Sequence, residues 1–404
     1  MTYAHRSGTT WGRAARMLAV GLVCALCLAQ LTGVAQAKGT KEKAGHQLTV
    51  MTRNLYLGAD LTPALQATSV DGAIDAAGQI VNQVHATKFP SVRAALLAAE
   101  IKKQKPDVVG LQEGAWWRTA TPASLTPVLS GRPTASQTDP LGGDFITDLL
   151  NQLNRGGGKK KLRYKLALAK TEFDIEMPVN NGSGGLAAAS HNERLTMRDA
   201  ILVRRDAGIK TSNPSSGTFK TLLQVKLAGA LPINVTRGWA AVDLRVHGRK
   251  FHLVDAHLEA FDGQASNTGS DGVVYPKGGI RQAQARQLVG SGGPASRSNT
   301  ILVGDLNSDS PVHGDQVSPG DALAYQAVLG AKFKEVSPKV PPFGCCVADP
   351  NLSNPSKAGV THRVDHILSN TKKVKFEDGA LTHTYAHGLW SSDHYGLAST
   401  LLIK

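Results

Sequence analysis

Aromatic residues are few: nine Phe, five Trp and seven Tyr, 5% of 404 residues. With 41% of the chain hydrophobic, a sizeable core is available, but aliphatic side chains must build most of it. Cysteine is as sparse. Cys24 and Cys27 lie in an apolar N-terminal segment, which leaves only the neighbours Cys345 and Cys346. Two adjacent cysteines exclude a framework of several disulfides. The loop also supplies too few partners for a four-ligand zinc site. The pair can close a small vicinal ring that rigidifies Phe343–Asp349, stay as free thiols, or bind a metal; the vicinal disulfide is the favoured reading. After the N-terminus no stretch is long and apolar enough to span a bilayer. Internal repeats are absent, and no shift in composition divides the chain. Acid is in deficit, 31 Asp and Glu against 45 Lys and Arg, for a formal charge of +14. Such an excess favours polyanions, nucleic acid or an anionic membrane surface; the plainer alternative is an exported protein that is merely basic.

The first 37 residues read as a targeting segment. Arg6, Arg13 and Arg16 form a positive leader with no acid, Met17–Leu31 is apolar, and Ala35-Gln36-Ala37 is a small-residue cleavage site. A signal peptide removed after Ala37, and hence secretion, is the expectation. Residues 38–46 are polar and read as a flexible lead-in. One catalytic domain over 47–404 should follow.

Along that domain, Leu48–Asn54 alternates as a strand. Asp71–Lys105 has helical spacing broken by Pro90, and Asp107–Glu113 is a buried strand that ends in a carboxylate. Trp116 and Trp117 come next, and the long stretch after them to Gly143 reads as a loop. Gly156–Lys161 is a basic turn. Leu162–Lys170 and Asp199–Arg204 read as strands, and Trp239–Val246 and Lys250–Ala256 flank a His247-Gly248 hairpin turn. Arg281–Val289 is a helix. Ile301–Asp305 is a strand that breaks at Gly304-Asp305, ahead of a loop carrying His313 and Asp315. Ala322–Leu329 is a helix, and strands close the chain at Arg363–Leu368, Lys372–Leu381 and Leu397–Ile403.

Polar residues recur at the ends of these strands: Asn54, Glu113, His257, Asp305, Asn307, Asp365, Asp393 and His394. Each has a bland reading, as a turn residue, a cap or a satisfied core histidine. Together at one rim of a sheet sandwich they suit phosphate ester hydrolysis. Carboxylates and an amide oxygen are hard ligands for Mg²⁺, and a His held by an Asp can move a proton near neutral pH. Trp116 and Trp117 are either packing residues or a platform for a base or a lipid headgroup. His362, His366, His383 and His387 read as surface or loop histidines.

Six short pieces carry a resemblance: Thr52-Arg-Asn54, Leu111-Gln-Glu113, Asp255-Ala-His-Leu258, Gly304-Asp-Leu-Asn307, Arg363-Val-Asp365 and Ser392-Asp-His394. In this order they resemble the endonuclease/exonuclease/phosphatase superfamily, the deoxyribonuclease I-like proteins, over roughly Leu48–Lys404. The resemblance implies an α/β four-layered sandwich of two mainly antiparallel sheets flanked by helices. It also implies an Mg²⁺-dependent phosphoesterase, with Mn²⁺ or Ca²⁺ as alternatives. Glu113 would be the chief metal ligand, with Asn54 and Asp393 close by. His394, paired with Asp365, would act as general base or stabilise phosphoryl oxygens. Asp305 would orient the attacking water, Asn307 would hold a phosphate oxygen, and His257 would bind phosphate or assist the leaving group. Arg198 is a weaker phosphate-binding candidate. A secreted nuclease acting on DNA or RNA is the leading expectation. A sphingomyelinase or phospholipase C-type enzyme acting on a phospholipid headgroup comes next, then a phosphomonoesterase or a non-catalytic binding protein on the same fold.

Overall fold

The computed structural model describes residues 46–156, 163–310, 320–339 and 343–404. The targeting segment, most of the lead-in, the Lys159–Lys161 turn, His313 and Asp315 lie outside the described residues.

Two sheets dominate. The first is eight-stranded, and the strands His46–Asn54, Val108–Gln112 and His191–Arg204 lie side by side near its centre. Gly396–Ile403 flanks His46–Asn54 on the other side, and the 16-residue strand Tyr164–Val179 pairs with His191–Arg204. The second sheet is six-stranded, with Asp365–Ser369, Thr300–Asp305, Arg249–His257 and Gly238–Val246 running side by side in that order. Most pairings are antiparallel. His46–Asn54 with Val108–Gln112, and Arg249–His257 with Thr300–Asp305, are parallel. Both parallel pairs enclose a helix in sequence, as a parallel connection requires.

Strand alternation decides the layers. Leu48, Val50, Val108 and Ile201 from the first sheet meet Val242, Leu253, Ile301, Val303 and Ile367 from the second in one aliphatic core. The opposite face of the first sheet, with Met51, Val109 and Leu111, is covered by the helices Val70–Ala86, Ala94–Gln104 and Phe145–Asn154. The opposite face of the second sheet, with Val254, Leu302 and Leu368, is covered by Gly279–Val289 and Leu323–Gly330. The order is helix, sheet, sheet, helix, the expected four layers. Pro90 falls in a π-helical turn, Phe89–Arg93, between the first two helices; its missing amide hydrogen suits an N-terminal turn rather than a helix interior.

Several local expectations need correction. The stretch after Trp116 and Trp117 is not all loop: Arg118–Ala120 completes a strand, Trp116–Ala120, that the two tryptophans begin. The stretch after them also holds a short helix, Thr126–Ser130. His366 is fully buried, not a surface residue: Ser308 O lies 2.9 Å from one ring nitrogen and Glu335 Oε2 3.1 Å from the other. It alternates with Asp365, so it faces the helices while Asp365 faces the sandwich. At the His247-Gly248 turn both residues have positive φ, 46° and 80°, as a two-residue hairpin turn requires.

Candidate active site

The parity that fills the core with Leu48 and Val50 carries Thr52 and Asn54 onto the same face. The parity of Ile301 and Val303 does the same for Asp305. Two sheets that share a core therefore deliver Asn54 and Asp305 to each other at the ends of their strands. Asn54 Nδ2 donates to Asp305 Oδ2 at 3.0 Å and to Glu113 Oε1 at 3.1 Å. Asn54 Oδ1 accepts the Tyr56 amide at 2.8 Å, which fixes the direction of the side-chain amide. Gly304 makes the approach to Asp305 feasible: its φ is +142°, and a Cβ there would collide with the Ala256 carbonyl.

Glu113 follows its strand with φ +56°. This left-handed turn folds the carboxylate back over the sheet end, where Oε2 accepts the Leu57 amide at 2.8 Å. A non-glycine residue in that region costs roughly 1–2 kcal/mol. Asp305 is buried, and its second oxygen accepts the Asn307 amide at 2.8 Å. Asn307, also left-handed at φ +45°, spends its own amide on the Leu258 carbonyl at 3.0 Å.

His394 completes the rim. Its Nδ1 lies 2.7 Å from Asp365 Oδ2, and its Nε2 lies 3.8 Å from Asp305 Oδ2 and 4.0 Å from Asp393 Oδ1. Asp365 sits opposite Asp305 in antiparallel register, so the second sheet supplies two of the three carboxylates around this imidazole. His257 sits opposite Asp305 in parallel register. It is buried, with Arg237 Nη1 3.2 Å from each ring nitrogen, Asp199 Oδ1 at 3.5 Å and Asp305 Oδ2 at 3.9 Å.

The Ser391–His394 loop is riveted to the first sheet by groups that the sequence did not single out. Arg53 Nη1 donates to the His394 carbonyl at 2.5 Å, Nη2 donates to Ser391 Oγ at 2.9 Å, and Nη2 pairs with Glu100 at 3.0 Å. Arg93 Nε reaches the Ser391 carbonyl at 3.0 Å and Nη2 the Tyr56 carbonyl at 3.0 Å. Arg53 and Arg93 are fully buried. The Thr52-Arg-Asn54 motif contained Arg53, but nothing local showed that its partner would lie near position 100. Behind His257 lies a second buried group, Glu172, Asp199, Asp255 and Glu259, in which Glu259 Oε2 lies 4.0 Å from Arg237 Nε and Asp199 Oδ1 3.5 Å from His257 Nδ1. Gln112 donates to Asp255 at 2.6 Å. Burial, then the Asp199 charge, push both Glu172 and Asp255 well above the usual carboxylate range.

Of three weaker candidates, Arg198 and the Trp116-Trp117 pair fall elsewhere, and the cysteine pair lies against His394. Arg198 is spent on Asp144 at 2.5 Å and on the Gly114 carbonyl at 3.1 Å. Its guanidinium lies 5.4 Å from the Trp116 ring centroid, and that of Arg118 lies 4.0 Å from it. Trp116 is half-buried. Trp117 is 3% exposed, packed in the core with its Nε1 donating to the Leu57 carbonyl at 3.2 Å. Trp117 is therefore no part of a substrate platform: alternation along its strand turns it inward. Cys345 and Cys346 are bonded to each other, and their sulfurs lie 3.4 and 3.7 Å from His394 Nε2.

The electrostatics follow from burial and proximity. Burial pushes the Asp305 carboxyl up, but His394 and His257, with hydrogen bonds from Asn307 and Asn54, hold it below its ordinary range. Burial opposes charge on His394, yet Asp365, Asp393 and Asp305 outweigh it and hold the imidazole well above its usual value. Burial raises Asp365 despite the pull of His394. Asp393 is pushed up to about 6 by burial, which His394 offsets in part and Glu113 reinforces. A carboxylate hindered by neighbouring carboxylates marks a local excess of negative charge. The donors at this point, Glu113 and Asp393, are carboxylate oxygens. They fit a hard divalent cation that keeps several waters. The Asn54 oxygen accepts from the Tyr56 amide, and its NH₂ group ties Glu113 to Asp305.

The chain belongs to the endonuclease/exonuclease/phosphatase family: the family's sequence profile matches residues 88–394. No curated protein sequence matches the chain. Among solved structures it is similar to an endonuclease/exonuclease/phosphatase from Beutenbergia cavernae, with 16% identity, 89% of this chain and 72% of that one covered, and a TM-score of 0.47. A family member from Leptotrichia buccalis gives 14% identity, coverage of 88% and 99%, and a TM-score of 0.47. D. rerio TDP2, complexed with a single-strand DNA product, gives 15%, coverage of 88% and 98%, and 0.45.

Proposed function

We propose that the protein is a secreted, divalent-metal-dependent phosphodiesterase, with Mg²⁺ the preferred ion, that hydrolyses DNA or RNA. The observation that carries this reading is the meeting of Glu113, Asn54 and Asp393 with Asp305 and the Asp365–His394 pair at the joined ends of two sheets. Glu113 and Asp393 would hold the cation, with Asn54 fixing the distance between Glu113 and Asp305. When bound, the cation supplies charge to offset that of the phosphoryl transition state. Asp305, kept ionised, orients the attacking water and accepts its proton. His394, kept cationic by Asp365, faces the phosphoryl oxygens, and His257 with Arg237 adds positive charge on the leaving-group side. Asn307 holds its neighbour Asp305 by a backbone hydrogen bond, and the side-chain amide hydrogen not used on the Leu258 carbonyl is the one it offers to a phosphate oxygen.

The charge of +11 that remains once Arg6, Arg13 and Arg16 depart with the leader supports a polyanionic substrate over a small phosphomonoester, and such binding should weaken with salt. The phospholipid reading loses support with Trp117 buried. The leader pattern Arg6–Ala37 supports export. The test takes the chain from Lys38 with Mg²⁺, with Mn²⁺ or Ca²⁺ in parallel, and offers supercoiled plasmid, RNA, sphingomyelin vesicles and a phosphomonoester. Nicking that EDTA abolishes and Asp305→Ala reduces at least about 10²-fold is expected. Headgroup release with intact plasmid would replace the nuclease reading by a lipid phosphodiesterase.

A further inference from the structure

The backbone around Cys345 and Cys346 places both sulfurs over one nitrogen. Tyr395 N donates to the Gly344 carbonyl at 2.7 Å, and Val347 N donates to the Asp393 carbonyl at 2.9 Å. These two bonds bracket the cysteine pair on one segment and His394 on the other. On the far side, Cys345 N donates to the His362 carbonyl at 3.0 Å, and the Cys345 carbonyl accepts Thr361 N at 2.9 Å and His362 N at 2.8 Å. The backbone that carries the two cysteines beside His394 is therefore held by hydrogen bonds of its own, and the side chains are left to turn about it once the bond between the sulfurs is broken. His394 is held from behind by Asp365 at Nδ1, so Nε2 is the nitrogen that faces sulfur.

We infer that Cys345, Cys346 and His394 form a site for a soft divalent metal such as Zn²⁺ once the disulfide is reduced. In tetrahedral zinc, Zn–S near 2.3 Å and Zn–N near 2.05 Å put sulfur and nitrogen about 3.6 Å apart. The observed separations are 3.4 and 3.7 Å. The two sulfurs would have to stand about 3.8 Å apart, which their covalent bond forbids, so the site is closed in the oxidised protein. A thiol or dithiol reductant supplies two electrons and two protons, the S–S bond breaks, and the reductant's own sulfurs become oxidised. Zn²⁺ then displaces the two thiol protons to solvent and takes Nε2 of His394, whose proton also leaves. Asp365 stays on Nδ1, the outer partner that zinc-bound imidazoles ordinarily have. One position is left for water or for Asp305, whose Oδ2 is 3.8 Å from the same nitrogen. Thiolates select such an ion over Mg²⁺, so this site and the oxygen site at Glu113 take different metals. Its effect on hydrolysis rests on the function proposed above, because His394 belongs to both; its binding of metal does not.

The test uses the full mature chain reduced with a phosphine, against the oxidised chain, and titrates Cd²⁺ in excess Mg²⁺. A thiolate-to-cadmium charge-transfer band that saturates at one equivalent is expected in the reduced chain and absent in the oxidised one. His394→Ala should keep the band and weaken binding about tenfold or more. The double variant C345S/C346S should show no band, and the oxidised–reduced comparison stands even if that variant fails to fold. A reduced chain with no band, or a band whose affinity ignores His394→Ala, overturns the inference. In parallel, one equivalent of Zn²⁺ should cut phosphodiester hydrolysis by the reduced chain at least tenfold and by C345S/C346S less than twofold. Equal inhibition of both would overturn the link to hydrolysis. A protein that hydrolyses no phosphodiester but shows the band would refute the proposed function and leave the metal site standing.

Discussion

Asp365→Asn changes the charge beside His394 while keeping its shape. The amide oxygen can still accept from Nδ1 at the 2.7 Å position. What goes is a full negative charge in contact with a buried imidazole. An opposite charge at this range moves a pKa by roughly 1–3 units, worth about 1.4–4 kcal/mol. If the cationic imidazole faces the phosphoryl oxygens, that energy is lost from the transition state, and the rate should fall about 10- to 1000-fold. The sign on pH is fixed by the same argument. His394 is raised by Asp365, Asp393 and Asp305, so its cation persists to higher pH than a free imidazole, and activity fails only as pH climbs through the raised value. In Asp365→Asn the alkaline limb should move down in pH. The variant also buries an amide NH₂ where Asp365 Oδ1 has no partner, a cost of about 1–3 kcal/mol in stability. Folded fraction must therefore be checked by circular dichroism at the assay temperature. The assay is kcat/KM against pH on plasmid or a chromogenic phosphodiester with saturating Mg²⁺. A variant within threefold of wild type, or one whose acid limb moves instead, would refute the cationic role and favour a general base.

Asn54→Ala unties Glu113 from Asp305 by removing the hydrogen bonds of 3.1 and 3.0 Å. It should cost about 1–3 kcal/mol in urea unfolding and raise the Mg²⁺ concentration for half-maximal activity; an unchanged Mg²⁺ curve would count against it. Arg53→Met leaves Glu100 charged and buried, with an expected loss of about 3–5 kcal/mol. Adding Glu100→Gln should recover part of it, and a single variant with wild-type stability would sink the argument. His383 is stacked on Trp390 and Tyr395, each at 4.2 Å, and one ring nitrogen lies 2.7 Å from the Ser392 carbonyl. Burial, then Arg53, push its pKa down to about 3. A histidine depressed in the fold contributes stability that is full above its unfolded value and is lost as pH falls through the folded value. Thermal stability should therefore drop by up to a few kcal/mol between about pH 6.5 and 3, and the acid branch should be flatter in His383→Gln. Equal acid branches would show that other groups set it.

Short-range pattern determined much of this protein. Alternation and apolar runs marked the strands that end at Asn54, Glu113, His257 and Asp305, because a strand between sheets needs every second residue apolar until it reaches the rim. Pro90 and His247-Gly248 marked breaks for reasons internal to their own backbone. Tertiary structure alone decided what each polar end would touch. Asn54 meets Asp305 because two sheets share a core, and Asp365 meets His394 because a strand of the second sheet faces a loop that enters the first. Arg53, Arg93 and Glu100 read as ordinary polar residues; their burial depends on partners up to 341 positions away. Trp117 looked available until strand parity turned it inward. The cysteine pair lacked a third ligand within its own loop, and the fold supplies one in His394, 48 residues beyond Cys346. Sequence records the periodicity that an element needs for itself, whereas contact between elements depends on how their buried faces pack.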